Sequence, residues 1–176
     1  MGAELRKPGL RQWIEEMGDT SALIGAVTAV MNPSMFQAGM DCIQTIAKHP
    51  ERVAKREHLD ELLKIWTSPL PTVSLMNNRN SPLHRDNGGG YSYMDILLSV
   101  GDYMDGRFYV PGVGGDLSYC AGTIIGLCGR VVQHGATAVG ERLVFAQYLR
   151  ETVMKSLGIP DPEWVYIQDL EKACTQ

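Results

Sequence analysis

The residues most able to do chemistry in this 176-residue sequence are two histidines and an aspartate. His84 and Asp86 are two positions apart, so both side chains can point at one ion from the end of a strand. Two ligands are not enough to hold iron, and His134 supplies a third. Two imidazoles and one carboxylate occupy one face of an octahedral ion and leave three positions open, as in non-haem Fe(II) oxygenases. The spacing predicts a metal site, with core or surface histidines as the alternative.

Arg142 follows His134 by eight positions and begins a mostly apolar, strand-like segment. A guanidinium that points inward from such a strand needs an anion, and a metal-bound dicarboxylate would provide one through two parallel hydrogen bonds. A buried arginine without a partner would cost on the order of several kcal/mol. The alternative is an outward Arg142 paired with Glu141 or Glu151.

The first 66 residues read as helices that pack against the rest of the chain. Apolar residues recur at helical spacing in four segments, and Asp19, Thr20 and Ser21 offer caps to the second. Asn32-Pro33 ends the second helix and begins the third, which stops near His49-Pro50. The fourth runs from about 53 to 66. His49 and His58 lie among charged residues, so we predict that both are on the surface.

After Pro69 and Pro71 the pattern changes to short β-prone segments. Gly101-Asp102 and Asp105-Gly106 are interpreted as turns, and 151–157 as a short helix before a lightly structured end. Frequent turns between short strands predict a sandwich, barrel or jelly roll, hence an α+β protein. The predicted strands are 72–77, 91–100, 107–110, 117–120, 123–128, 130–134 and 141–149.

Length and composition fit one soluble globular domain over 1–176. We divide it into a helical layer (1–67), a β core (68–155) and a C-terminal tail (156–176). No apolar run reaches the ~20 residues that span a bilayer, so no membrane partner is expected. The net charge of −4 gives nucleic-acid binding no support by itself, because proteins that grip phosphates usually have a basic surface.

Four cysteines occur without any CxxC pairing. Three of them lie in apolar or patterned segments, which predicts reduced core residues in an intracellular protein. A structural zinc site is poorly supported. The four are Cys42, Cys120, Cys128 and Cys174.

Several stretches together resemble the Fe(II)/2-oxoglutarate dioxygenase superfamily, and in particular its TET/JBP-like members expanded in mushroom-forming fungi. The likeness covers roughly 70–155 and is weaker in the helices before it. The stretches that carry it are His84-Arg85-Asp86, 94–98, 106–111, 122–135 and 140–150.

This resemblance implies a double-stranded β-helix core in which His84, Asp86 and His134 hold Fe(II). It also implies that Arg142 holds the distal carboxylate of 2-oxoglutarate. Related enzymes often have Ser or Thr two residues after this arginine, where this chain has Val144. We therefore expect another group to assist, with Arg79 as the candidate and a solvated turn arginine as the alternative.

The resemblance further implies 2-oxoglutarate and dioxygen as co-substrates, and DNA containing 5-methylcytosine as the partner. The base would be flipped out of the duplex and its methyl group oxidised after hydrogen abstraction. The alternatives are a hydroxylase of a small molecule or protein side chain, and an inactive β-helix interaction module. We expect a nuclear monomer. No substrate-binding residue is assigned, although four tyrosines offer stacking surfaces: Tyr91, Tyr93, Tyr109 and Tyr119.

Overall fold

The computed structural model describes residues 8–53, 58–166 and 168. A helical layer comes first, followed by an antiparallel β-structure and one further helix, so the predicted α+β class is confirmed. No described helix is long and apolar enough to cross a membrane. The helices are α1 (Pro8–Glu16), α2 (Gly18–Met31), α3 (Pro33–Lys48), α4 (Leu59–Ile65) and α5 (Glu151–Leu157).

The boundary between α2 and α3 forms as the sequence predicts. The Asn32 side chain accepts a hydrogen bond from the Met35 N–H at 2.9 Å, and Pro33 occupies the first helical position, where its missing N–H costs nothing. The N-terminus of α2 differs from the prediction, because α1 and α2 are separated only by Met17 and no side chain caps α2. Asp19 lies inside the first turn of α2, where its negative charge interacts favourably with the positive end of the helix dipole.

In the described part of the chain, six strands make up the β-structure. They are β1 (Thr72–Asn77), β2 (Ser81–His84), β3 (Asp95–Val110), β4 (Gly115–Ser118), β5 (Ile124–Leu127) and β6 (His134–Tyr148).

The long strands β3 and β6 pair with each other antiparallel along almost their whole length. β6 also pairs with β2 near its start and with β1 near its end. β3 pairs with β5 near its start and with β4 near its end. β3 and β6 are bent, and each pairs with one short strand near its start and another near its end. Together these strands form the predicted double-stranded β-helix.

The turns predicted at Gly101-Asp102 and Asp105-Gly106 are wrong, because both lie within β3. Gly101 has φ +126°, and Gly140 on the facing strand has φ +119°, values that only glycine adopts readily. The β3–β6 register shifts between Met104 and Arg107, so a bulge follows the bend. These features bend the strands without interrupting them. The prediction fails because glycine next to aspartate occurs both at strand bends and in turns. The strand predicted at 130–134 is also absent, because β6 begins at His134.

Two hydrophobic clusters lie on opposite faces of the sheet. Ile96, Leu98 and Phe145 pack towards the helical layer, whereas their neighbours Leu97 and Val144 belong to the cluster on the other face. The alternation follows from the two-residue period of a strand. β3 is therefore buried on both faces at its start, rather than half-buried as its pattern predicts.

The remaining predictions for this part of the chain have mixed outcomes. α5 spans the predicted residues, and His49 and His58 are exposed as predicted. Cys42 and Cys128 are buried, but Cys120 is exposed, so its predicted core position is wrong. Residues 54–57 of the fourth predicted helix, Cys174 and the tail beyond 168 lie outside the described residues. Within the described part of α4, the helix begins later than predicted, at Leu59.

The Asn32 cap provides a test of the helical layer. Asn32→Ala should lower the free energy of unfolding by about 1 kcal/mol, because the Met35 N–H loses its acceptor in a buried setting. Asn32→Ser, which keeps a side-chain oxygen, should lose much less. Urea unfolding followed by circular dichroism measures both variants, and equal losses would show that the cap is not the cause.

Candidate metal centre and co-substrate cavity

His84 and His134 are brought together by strand pairing. His84 ends β2 and lies directly opposite His134, the first residue of β6, in the antiparallel register. Their rings are 4.4 Å apart between centroids. Facing residues in antiparallel strands have Cβ atoms about 4.5–5.5 Å apart, which is close enough for both imidazoles to reach one ion.

The hydrogen bonds of the two rings fix which nitrogen is free. His84 Nδ1 lies 2.8 Å from the Pro82 carbonyl oxygen, and His134 Nδ1 lies 3.0 Å from the Val132 carbonyl oxygen. Because a carbonyl only accepts, each Nδ1 must carry a proton, so in the neutral ring Nε2 is the nitrogen with the lone pair. Backbone carbonyls hold metal-binding histidines in this way in many metalloproteins.

Asp86 faces both free nitrogens. Its Oδ1 is 3.6 Å from His84 Nε2 and its Oδ2 is 3.4 Å from His134 Nε2. Three ligand atoms of this set lie within 4.8 Å of one another. Ligands about 2 Å from one octahedral ion lie about 3 Å apart, so the geometry fits a first-row divalent metal. The backbone N–H of Asp86 donates to the Gly129 carbonyl at 3.0 Å and holds the loop after β2 in place.

A cavity of about 470 Å³ opens beside this triad. Its volume lies within the range of about 300–1,000 Å³ for small-molecule sites. One wall is a single face of β6, because residues an even number of positions apart point the same way. The lining residues from that face are His134, Ala136, Arg142, Val144, Ala146 and Tyr148. The spacing of eight between His134 and Arg142 therefore puts both on the cavity wall.

Arg142 is buried, with 4% of its surface exposed, and lines the cavity. Its Nη2 donates to the Arg79 carbonyl oxygen, and its backbone N–H donates to Asn78 Oδ1 at 2.6 Å. Within the described residues, Nη1 has no hydrogen-bond partner. The alternative of an outward Arg142 is wrong, because Glu141 accepts from Asn78 and Glu151 binds Arg130. A buried charge with an unused donor marks a site for an anion.

Arg79 stands at the mouth of the same cavity, and its side chain is exposed. The backbone carbonyl oxygen of Arg79 accepts a hydrogen bond from the Arg142 side chain. The assistance of the Arg79 guanidinium to the co-substrate stays a prediction.

Asp95, at the start of β3, is a cavity residue that the sequence reasoning missed. Its carboxylate and that of Asp86 lie so close to Gly129 that a Cβ there would collide with both. Burial, and secondarily the charge of Asp86, raise the pKa of Asp95 to about 7, against the lowering effect of a hydrogen bond from the Gly129 N–H. In sequence Asp95 resembles any aspartate before a strand, so only the tertiary fold reveals its surroundings.

The loop of three glycines after Asn87 is fastened at the cavity mouth by Arg130. The Nη1 of Arg130 donates to the Gly89 carbonyl at 2.7 Å and to Glu151 Oε2 at 2.7 Å. The guanidinium carbon of Arg130 lies over the Tyr91 ring, 4.2 Å from its centre. The loop is thereby linked to α5. Of the four tyrosines singled out in the sequence, Tyr91 is exposed, Tyr109 is partly buried, and the other two are buried.

A bent double-stranded β-helix that presents two histidines, a carboxylate and a buried arginine to one cavity defines a non-haem iron oxygenase architecture. Residues 7–151 match the Tet_JBP family, described as the oxygenase domain of the 2OGFeDO superfamily. This chain belongs to that family. No curated protein matches the chain.

The family assignment confirms the predicted resemblance, and with it an enzyme that uses Fe(II), 2-oxoglutarate and dioxygen. The matched region begins before α1, so the helical layer lies within it, whereas the likeness read from the sequence is clearest after residue 70.

The raised pKa of Asp95 predicts that the stability of the metal-free protein depends on pH. Between about pH 4 and pH 7, the unfolded chain has Asp95 ionised while the folded protein keeps it protonated, so stability falls as the pH rises. Asp95→Asn removes this loss and keeps an acceptor for Gly129. The variant should be more stable than wild type by more than about 1 kcal/mol at pH 8, and nearly equal to it at pH 4.

Urea unfolding in EDTA at the two pH values measures this difference. Asp102→Asn changes an exposed aspartate of the same strand and should show no such pH dependence. A gain from Asp95→Asn that is equal at pH 4 and pH 8 would contradict the raised pKa.

Proposed function

We propose that this protein is an Fe(II)- and 2-oxoglutarate-dependent dioxygenase that oxidises the methyl group of 5-methylcytosine in DNA, after the base has been flipped out of the duplex. Family membership carries the reaction class. The observation that supports nucleic acid as the substrate is a group of exposed arginines at or next to the cavity, which within the described residues form no ion pair with a carboxylate.

His84 Nε2, His134 Nε2 and a carboxylate oxygen of Asp86 are the proposed metal ligands. Bound Fe(II) supplies the activation of dioxygen that couples oxidation of 2-oxoglutarate to attack on a C–H bond. The protein's contribution is to hold three ligands on one side of the metal. The carbonyls of Pro82 and Val132 keep both imidazoles in the metal-binding tautomer.

Arg142 is the proposed partner of the distal carboxylate of 2-oxoglutarate. Its free Nη1 and its charge match a carboxylate, and its other contacts hold the guanidinium in place before the co-substrate arrives. A neutral ligand at this position would leave the buried charge uncompensated.

Three arginines support a polyanionic substrate. Arg79 and Arg150 are exposed and line the cavity, and Arg85 is exposed between two proposed metal ligands. Within the described residues, none of the three forms an ion pair with a carboxylate. Their local positive charge contrasts with the net charge of −4 for the chain and suits the phosphates that flank a target base.

Tyr148 supports a planar ligand within the cavity. The ring is partly buried on the cavity wall, and its hydroxyl contacts Ser74 at 2.9 Å and accepts from Arg150 at 3.0 Å. The guanidinium carbon of Arg150 lies over this ring, 5.4 Å from its centre. An aromatic ring on the cavity wall suits a flipped base, because stacking on such a ring contributes about 1–3 kcal/mol per base. We propose Tyr148 as the stacking residue.

The runner-up function is hydroxylation of a small molecule or a protein side chain by the same residues. The acidic net charge favours this alternative. Nuclear localisation and a monomeric state remain predictions.

Succinate release distinguishes these substrates. With Fe(II), 2-oxoglutarate and dioxygen, we expect turnover that requires a duplex containing 5-methylcytosine, and little turnover with unmethylated duplex or without DNA. Arg85→Ala and Arg150→Ala should raise the KM for the duplex several-fold and reduce its salt dependence, because each removes a phosphate contact.

Arg11→Ala is the matched control, since Arg11 is exposed on α1 and paired with Glu15 and Glu61. It should leave the KM for the duplex unchanged. Turnover that is indifferent to DNA would reject 5-methylcytosine in DNA as the substrate and favour the runner-up function.

Metal binding tests the triad without any substrate. His84→Ala, Asp86→Ala and His134→Ala should each weaken Mn(II) binding by at least about tenfold, because each removes one of three ligands. Calorimetric titration with Mn(II) gives the affinities. His49→Ala and His58→Ala remove exposed histidines and should bind Mn(II) like wild type. Wild-type affinity in any triad variant would rule out that residue as a ligand.

A further inference from the structure

We propose that the hydroxyl of Tyr119 donates a hydrogen bond to the distal carboxylate of 2-oxoglutarate, beside Arg142. The inference rests on the role of Arg142 proposed above. It adds a residue from the opposite side of the cavity, in the segment between β4 and β5. In this chain Val144 occupies the place two residues after Arg142 and offers no hydroxyl.

The unpaired polar atoms of the protein point to this position. Among the described residues, three buried side-chain nitrogen or oxygen atoms lack a hydrogen-bond partner: Trp66 Nε1, Tyr119 Oη and Arg142 Nη1. Both Tyr119 and Arg142 line the cavity beside the triad. Buried polar groups are almost always paired in folded proteins, so two unused donors around one cavity indicate a ligand that accepts from both.

Tyr119 and Arg142 are neighbours across the cavity. The guanidinium carbon of Arg142 lies 5.7 Å from the centre of the Tyr119 ring. Tyr119 is 1% exposed and Arg142 is 4% exposed, so neither donor can be satisfied at the protein surface. A carboxylate has two oxygens and can accept a charged hydrogen bond and a neutral one at the same time.

The backbone and ring of Tyr119 are held by contacts that do not use its hydroxyl. Its N–H donates to the Gly106 carbonyl at 2.8 Å, and its carbonyl accepts from the Tyr103 hydroxyl at 2.8 Å. Its ring packs edge-on against Phe108, at 5.4 Å between centroids, and Phe108 in turn stacks on the ring of His134. The hydroxyl is therefore positioned in advance, which lowers the entropic cost of binding a ligand.

The hydroxyl is a donor at neutral pH. Burial raises the pKa of Tyr119 to about 12, although the nearby charge of Arg142 opposes the rise. Ser99 lies close to this hydroxyl, but within the described residues the hydroxyl forms no hydrogen bond of acceptable distance and angle. The proton of Tyr119 is thus available to an incoming acceptor.

The test compares two 2-oxo acids on protein loaded with Mn(II), without DNA. Both 2-oxoglutarate and pyruvate carry the 2-oxo acid end that can chelate a metal, but pyruvate lacks the distal carboxylate. Tyr119→Phe should weaken 2-oxoglutarate binding roughly tenfold, the effect of losing one hydrogen bond to a charged group. It should leave the affinities for pyruvate and Mn(II) unchanged. Calorimetric titration measures all three.

Two further variants make the result specific. Tyr109→Phe removes a partly buried hydroxyl that contacts Thr137 at 3.3 Å and does not line the cavity, so it should bind 2-oxoglutarate like wild type. Arg142→Gln should weaken 2-oxoglutarate binding more than Tyr119→Phe does, again without changing the affinity for pyruvate.

The possible failures are distinguishable. Wild-type 2-oxoglutarate affinity in Tyr119→Phe, with a loss in Arg142→Gln, would overturn the role of Tyr119 alone. Unchanged affinity in both variants would overturn the proposed role of Arg142 and this inference with it. A parallel loss of pyruvate binding in Tyr119→Phe would show that Tyr119 acts through the metal side of the cavity, and would also overturn the inference. None of these outcomes depends on DNA as the substrate.

Discussion

The pairing of β3 with β6 is the constraint on which the rest of the structure depends. Each strand is long enough to continue through a bend and to pair on both sides of it. Each bends at a glycine whose positive φ other residues avoid. Because residues an even number of positions apart share a face, one face of β6 brings both His134 and Arg142 to the same cavity. The flanking strands β1 and β2 attach to β6 and complete the walls.

Several polar side chains from the β core line the cavity. It contains a buried guanidinium, the Asp95 carboxyl, whose pKa burial raises to about 7, and a tyrosine hydroxyl that has no hydrogen-bond partner among the described residues. Such groups reduce the stability of the empty protein, because each was removed from water without full compensation. A divalent metal and a dicarboxylate would supply the missing partners. Binding of both ligands is therefore linked to folding stability.

The sequence predicts the chemistry better than it predicts the architecture around it. The three ligand types and the even spacing of eight to Arg142 are local facts, and alternation along one strand converts them into positions on one wall. The bends of β3 and β6 are misread as turns, because glycine next to aspartate serves both purposes. Asp95 is not predicted from the sequence, and Tyr119 is considered only as a stacking surface, because nothing nearby in sequence marks their place in the cavity. Their burial arises from contacts with Gly129 and Phe108, which lie on other segments.

The pairing of β1 and β2 with the much later strand β6 has a consequence for biosynthesis. Thr72 pairs with Tyr148, and His84 pairs with His134, so β1 and β2 have no partner strand until β6 has left the ribosome. Until then the helical layer and β3 expose the apolar faces that later meet across the sheet. Pairing between segments so distant in sequence is slow, and unpaired edges associate readily with other chains. The proposed metal ligands come from β2, from the loop after it and from the later strand β6, so under that proposal iron can be captured only after β6 has been synthesised.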